Sequence, residues 1–471
     1  VKKRAVFLCL FFCSHIYFLG VAGPELEKGK VLPKVICQDN PGNSYALFLP
    51  PAYSAEKRWP ILYALDPGGR GHVPVDLFRQ AAEKYNFILV GSNNSRNGPW
   101  QDVIQSLIAL WNDTNERFSI DKKRIYVTGF SGGSRAASIF ARVIMHPVAG
   151  IIGCGAGLAK SLIKPEQIPP AYYLGIVGIK DFNYREMMLL HDQFEIHNVP
   201  YRFLVHRGEH DWPGEDICQR AIEWMEVIAI QNDIRARDGT LIDTVFEKEK
   251  QDAQRLESAG EWSQALSIYE LLAETFSAWK DTGPVRNKIQ IIQKSEEYRN
   301  DLTEKNRINR LEMEYLQNFG QSFGRIEKNA LPVDSIENFT GNMGLDELKA
   351  EAADNKVSGE NFMAIRLLKG LEIDAGSKGW EFFQKEEFVK AIFFFTIASQ
   401  GGDKDSPRKK NIYYNLASAY ARIQNKNRAL ENLELAVKHG FDNVERVEQD
   451  KNFTSLQDTE EYQKIIKRLK Q

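Results

Sequence analysis

Residues 124–144 read RIYVTGFSGGSRAASIFARVI, and their reading decides the first half of the chain. A β-rich run, Ile125 to Thr128, ends in Gly129-Phe130-Ser131-Gly132-Gly133, and an apolar pattern of helical period begins at once. A turn this sharp between strand and helix leaves almost no room for side chains two positions before and two positions after its apex. Gly129 and Gly133 occupy those two places. Ser131 is thereby lifted to a helix N-terminus, where the Gly132 N–H can face negative charge that develops beside the hydroxyl. Gly-x-Ser-x-Gly alone is a common pattern; the strand before it and the helix after it make Ser131 a candidate nucleophile.

Other β-rich runs flank this segment: YALFLP, WPILYALDP, FILVGSNN, GIIGCGAG, YYLGIVGIKD and YRFLVHR. Stretches of helical length separate them, an alternation that predicts a largely parallel sheet covered by helices. A serine hydroxyl needs a base, and ligand sites of parallel sheets gather beyond the carboxyl ends of the strands. His210, in the loop HRGEHDWPGED after one such strand, fits that position. His206 ends the strand itself and is the runner-up, whereas His146, His191 and His197 belong to helical patterns and His439 to the second half. Asp181, just past YYLGIVGIK, lies between Ser131 and His210 in the chain and is the carboxylate that could hold the imidazole in the right tautomer. Its other reading is a simple helix N-cap. Asp211 adjoins His210 and is badly placed to orient it.

With these residues in place, residues 33–232 resemble an α/β-hydrolase of the esterase type, similar to the polyhydroxybutyrate-depolymerase and feruloyl-esterase branch. The resemblance implies a Ser131-His210-Asp181 triad, and an oxyanion site made by Gly132 with a donor from the loop after ILYAL. In that loop Asp66-Pro67 stand where His-Gly is usual, which leaves the second donor open between Gly68 and Gly69. The loop SNNSRNG offers Asn94, Arg96 and Asn97 as substrate contacts, or as surface turn chemistry. Only 49 residues separate Ser131 from Asp181, and 28 separate Asp181 from His210, too few for an inserted lid domain. An open site, suited to soluble or polymer-attached esters, is the expectation.

The second half has different physics. Of 18 prolines only Pro284, Pro332 and Pro407 lie beyond residue 234, so long helices are possible there. Gly260, Ala265 and Tyr269 are spaced by five and four residues, as are Glu386, Ala391 and Phe395, and Gln424, Ala429 and Leu433. Small alanines would let the second helix of a hairpin approach the first. The pattern resembles tetratricopeptide repeats, well over 376–440 and weakly over 250–280, and Ala417 and Tyr420 fit the first helix of the last repeat. Residues 441–471, with Phe453, Leu456, Tyr462 and Ile465, read as a cap. The predicted division is an export segment over 1–22, an α/β-hydrolase domain over 23–235, a helical linker with a degenerate repeat at 250–280 over 236–345, and tetratricopeptide-like repeats over 346–471. The repeats are expected to form a separable module that binds a protein or peptide.

At 471 residues the chain has room for more than one core. With 43% hydrophobic and 26% charged residues, and 61 basic against 63 acidic side chains, it has the composition of a folded protein and no electrostatic footprint for nucleic acid. Lys2, Lys3 and Arg4 precede AVFLCLFFCSHIYFLGVAG, in which Gly20 and Ala22 suit cleavage before Gly23. This predicts export, to periplasm or medium, and no membrane association beyond that segment. Cys37, Cys154 and Cys218 remain, too few for a disulfide framework and not spaced as zinc ligands. The expectation is a serine hydrolase, foremost a carboxylesterase, that needs no metal or organic cofactor. Its rivals are a peptidase with the same triad, or an interaction module carrying a vestigial hydrolase.

Overall fold

The computed structural model describes residues 26–470 apart from positions 145, 163, 165, 166, 330, 355 and 356, so the expected export segment lies outside the described residues. Eight strands form one sheet: β1 (Val31–Ile36), β2 (Ser44–Phe48), β3 (Trp59–Leu65), β4 (Ile88–Ser92), β5 (Ile120–Phe130), β6 (Gly150–Cys154), β7 (Tyr172–Gly178) and β8 (Tyr201–His206). Their order is 1-2-4-3-5-6-7-8, with β3 to β8 parallel and β1 and β2 antiparallel at one edge. Five helices cover it: α1 (His72–Tyr85), α2 (Trp100–Arg117), α3 (Gly132–Val143), α4 (Tyr184–Ile196) and α5 (Glu215–Gln231). This is the α/β-hydrolase fold. Strand β1 has no counterpart among the β-rich runs of the sequence, because Pro33 and Lys34 interrupt VLPKVI. The register with β2 shifts between Leu32 and Val35, an irregularity that an edge strand tolerates.

Each sheet face has its own core. On one, Val103 and Leu107 of α2, Ala137 and Phe140 of α3 and Phe194 of α4 pack on the strands. On the other, α1 and α5 pack on the strands, and a second helical layer covers α5: α6 (Gly239–Ser258), α7 (Trp262–Thr275) and α8 (Gly283–Lys294). Leu241, Ile242, Val245 and Phe246 of α6 and Phe276 after α7 are buried in the same cluster as Trp224 of α5. Arg202 of β8 pairs with Glu249 of α6, both buried, and Arg220 of α5 reaches the same carboxylate at 3.0 Å. The domain boundary expected at 235 therefore does not fall between two cores. Residues 239–294, expected as linker, form a structural layer of the hydrolase half, since α5 is buried on both of its sides.

The passage to a third core, that of the helical half, lies inside α9 (Glu296–Lys328), whose 33 residues span about 50 Å. Tyr298 packs against the core that α5 and α6 share, while Leu311, Tyr315, Phe319 and Ile326 join the third. There follow α10 (Ile336–Gly341), α11 (Leu345–Ala353), α12 (Gly359–Gln384), α13 (Phe388–Gln400), α14 (Lys409–Arg422), α15 (Lys426–Lys438), α16 (Val444–Gln449) and α17 (Glu460–Leu469). Helices α12/α13 and α14/α15 form hairpins, as do α6/α7. At the three hairpin turns Gly260, Glu386 and Gln424 all adopt left-handed backbone, with φ of 80°, 62° and 60°. Five residues later Ala265, Ala391 and Ala429 are each fully buried, so one local geometry underlies the three-fold spacing of the sequence. Phe453, Leu456, Tyr462 and Ile465 close the end of this core. No helix among the described residues is long and apolar enough to cross a membrane.

Candidate active site

Strand β5 ends at Phe130 and α3 starts at Gly132, leaving Ser131 alone at the bend with φ 52° and ψ −119°. A non-glycine residue held there costs about 1–3 kcal/mol, so the surroundings must enforce it. They do: a Cβ at Gly129 would collide with the Gly133 carbonyl oxygen, and one at Gly133 with the Leu65 carbonyl oxygen of β3. The Ser131 N–H donates to the Cys154 carbonyl of β6 at 2.8 Å, which pins the apex to the neighbouring strand.

Asp181 and His210 leave the sheet on the loops after β7 and β8. These loops are stitched together by Ile179 N–H to His206 O at 2.7 Å and Lys180 N–H to Gly208 O at 3.1 Å. His210 Nδ1 lies 2.8 Å from Asp181 Oδ1 and its Nε2 lies 3.0 Å from Ser131 Oγ. With Nδ1–H donated to the carboxylate, the Nε2 lone pair faces the serine, the tautomer a general base needs. Asp181 Oδ1 also accepts the Asn183 N–H at 2.8 Å in a turn ahead of α4, whose N-cap is Asn183, so Asp181 is not the helix cap that its position in the sequence also allows. The imidazole is packed between Phe182, with ring centroids 4.0 Å apart, and Phe130 at 4.6 Å. His206 instead takes the Gly208 N–H on Nδ1, and burial pushes its pKa below the ordinary value against the opposing charges of Asp181 and Asp216. His191 bonds Asp192 and Tyr201, His146 lies against Pro147, and His197 and His439 end α4 and α15.

The loop after β3 departs from expectation. The Gly68 N–H donates to Asp66 Oδ1 at 2.8 Å and the Gly69 N–H to the Asp66 carbonyl at 3.0 Å, so neither glycine offers a free oxyanion donor. Pro67 has no N–H at all. Asp66, fully buried, is the hub of this loop: it also accepts from Arg70 Nε at 2.9 Å and from Trp212 Nε1 at 3.0 Å. Burial alone would raise its pKa, but the hydrogen bonds of Arg70, Trp212 and Gly68 and the Arg70 charge outweigh it and hold the carboxyl below its ordinary value. The departure from His-Gly is thus explained as a loop built around an ionised carboxylate. Its partner Trp212 gave no signal in the sequence, although Arg70 at four residues from Asp66 is a visible pair.

A cleft of about 300 Å³ opens at Ser131, lined by Pro67, Arg96, Asn97, Trp100, Gly132 and Arg135 among others. The Asn97 side chain fills the place where a Cβ on Gly132 would stand, and its backbone N–H is tied to Pro67 O at 2.8 Å. Arg96 bridges to Gly68, and Arg135 pairs with Glu186 at 2.6 Å. Asn94 is not part of the cleft: its carboxamide accepts from Ser44 N–H at 2.9 Å and donates to Gly42 O at 3.0 Å, closing the turn before β2. The turn reading is the correct one for that residue. Helix α12 lines no part of this cleft but packs on the loops that carry Asp181 and His210. Gly370 lies against Phe182 and Lys369 pairs with Glu209 at 2.5 Å. Among the described residues no cluster of His, Cys, Asp or Glu is arranged to hold a metal ion.

No family model matches the chain, and no curated protein matches it. Solved structures do. An S-formylglutathione hydrolase of Staphylococcus aureus is 16% identical with a TM-score of 0.35, over 43% of this chain and 99% of its own. A ferulic acid esterase is 17% identical with a TM-score of 0.36, over 43% of this chain and 100% of its own. An esterase of Pyrobaculum calidifontis is 13% identical with a TM-score of 0.35, over 43% of this chain and 87% of its own.

Proposed function

We propose that the protein is an exported serine carboxylesterase acting on small soluble or polymer-attached esters. The observation that carries this reading is the unbroken hydrogen-bonded chain from Asp181 through His210 to Ser131, mounted on a left-handed apex. Ser131 Oγ attacks the ester carbonyl while His210 Nε2 takes its proton. Collapse of the tetrahedral adduct expels the alcohol, which receives that proton, and leaves an acyl-serine. Water, deprotonated by the same imidazole, then releases the acid and restores the serine. Asp181 fixes the tautomer and stabilises the imidazolium in each half-reaction. The oxyanion is held by the Gly132 N–H at the start of α3. Because the backbone donors after β3 are engaged or missing, the Nδ2–H of Asn97, whose Oδ1 lies against Gly132, serves as the second donor in this reading.

The small cleft, with Trp100 and Val103 beside Ser131, suits a short acyl group, while Arg96 at its rim favours an acid or alcohol portion that is polar or anionic. Purified protein assayed on p-nitrophenyl and feruloyl esters against p-nitroanilide peptides tests the reading. Turnover confined to short-chain esters supports it, and preference for the anilides contradicts it. Export rests on residues 1–22, and N-terminal sequencing from the host should start near Gly23. An intact segment on soluble cytoplasmic protein contradicts it.

A further inference from the structure

We propose that α12 is a positioning element for the acid–base loops, so that Arg366 and Lys369 set the geometry of His210 and Asp181 from outside the hydrolase half. The proposal rests on the triad reading above. Arg366 is only 5% exposed. Its Nη1 donates to the Ile179 carbonyl at 3.2 Å, two residues before Asp181. Its Nε and Nη2 grip both oxygens of buried Glu312 on α9, at 2.6 and 2.7 Å, and the guanidinium lies 4.7 Å from the Tyr184 ring. One turn along, Lys369 Nζ pairs with Glu209, the residue before His210, at 2.5 Å, and with Asp403 at 3.2 Å. Next to Lys369, Gly370 faces Phe182, whose ring lies against the imidazole.

A buried Arg–Glu pair is a poor source of stability, because the desolvation of both charges offsets most of their attraction. Its directional contacts, by contrast, fix position. Here the fixed object is the segment Ile179 to Tyr184, which carries the orienting carboxylate, and the anchor is α9, the helix that joins the hydrolase half to the helical half. The His210 side is held by a separate ion pair on the same face of α12. The two loops are joined to each other by backbone hydrogen bonds, so a shift of one is transmitted to the other. The helical half is therefore part of what holds the catalytic geometry, in place of the separable module that the sequence suggested.

The test uses the full chain. Glu312→Met with Arg366→Met removes both charges together, keeps the volume filled and leaves no unpaired buried ion. The expected result is a folded protein whose kcat on p-nitrophenyl acetate falls roughly tenfold to a hundredfold with KM within about twofold, the scale of a small misplacement of reacting groups. The low-field proton resonance of the His210–Asp181 hydrogen bond should shift or broaden. A second pair guards against misfolding of the first: Lys369→Glu, near the surface, should lower kcat severalfold, and Glu209→Lys added to it should restore most of the loss. Wild-type kcat and an unmoved resonance in both sets overturn the proposal. If the unaltered protein neither hydrolyses esters nor reacts with a fluorophosphonate, the esterase reading fails instead, and the resonance still decides whether α12 positions the pair.

Discussion

The indole Nε1 of Trp212 donates to Asp66 Oδ2 over 3.0 Å, joining the loop that carries His210 to the loop that leaves β3. In the proposed mechanism the base and the oxyanion wall thus share one buried carboxylate. Asp66→Asn should loosen both and lower kcat. It should also change the response to pH in a defined direction. The pKa of Asp66 is depressed in the fold, so its stabilisation is present above the ordinary carboxylate range and disappears as pH falls through the depressed value. Thermal melts of wild type and Asp66→Asn should differ most near neutrality and converge in acid; a gap that is constant with pH contradicts this.

Asn97→Ala should cut kcat by about a hundredfold with little change in KM, the usual cost of one oxyanion donor. Steady-state kinetics on a single p-nitrophenyl ester suffices. A change confined to KM would make Asn97 a ground-state contact only.

The two neighbouring histidines should separate cleanly. His210→Ala should lose several orders of magnitude in kcat, and His206→Gln should keep most of it. Since burial lowers the His206 pKa in the fold, the unfolded chain binds the proton first as pH falls, and stability declines below the ordinary imidazole range. The His206→Gln protein should show a shallower decline in melting temperature across that range; an equally steep one rules the assignment out.

Truncation should discriminate between the two possible boundaries. Ending the chain at 235 strips α5 of Leu241, Ile242, Val245 and Phe246, each worth about 1.5–3 kcal/mol by burial, against a net stability of about 5–15 kcal/mol for a typical domain. That product should aggregate. Ending near residue 305, within α9, keeps the layer from α6 to α8 and should give soluble protein with lowered kcat, because α12 is gone. Soluble, fully active protein ending at 235 would contradict the shared core.

What could be read in the sequence was whatever a short segment determines by itself. The turn at Ser131 announces itself because its glycines, its strand and its helix are contiguous, and Asp181 and His210 stand out because each lies within four residues of the end of an apolar strand. The hairpin turns at Gly260, Glu386 and Gln424 were legible through the spacing of their alanines. Relations across long separations left no trace: Arg366 sits in an ordinary helical pattern, and nothing near it points to Ile179, 187 residues away. For the same reason nothing near Leu241, Ile242, Val245 and Phe246 of α6 points to the α5 surface they cover. Asn94 and Asn97, three residues apart in one loop, have opposite fates that the sequence does not distinguish: one closes the turn before β2 and the other lines the cleft at Ser131 beside Gly132.

The most direct measurement is the site and dependence of fluorophosphonate labelling, read by mass spectrometry of the digested protein. The expected result is one adduct on Ser131, absent in Ser131→Ala, slowed by orders of magnitude in His210→Ala and slowed less in Asp181→Asn. Folded wild-type protein that takes no label, or carries it on a different residue, would contradict the assignment of Ser131, His210 and Asp181 as the reacting chain.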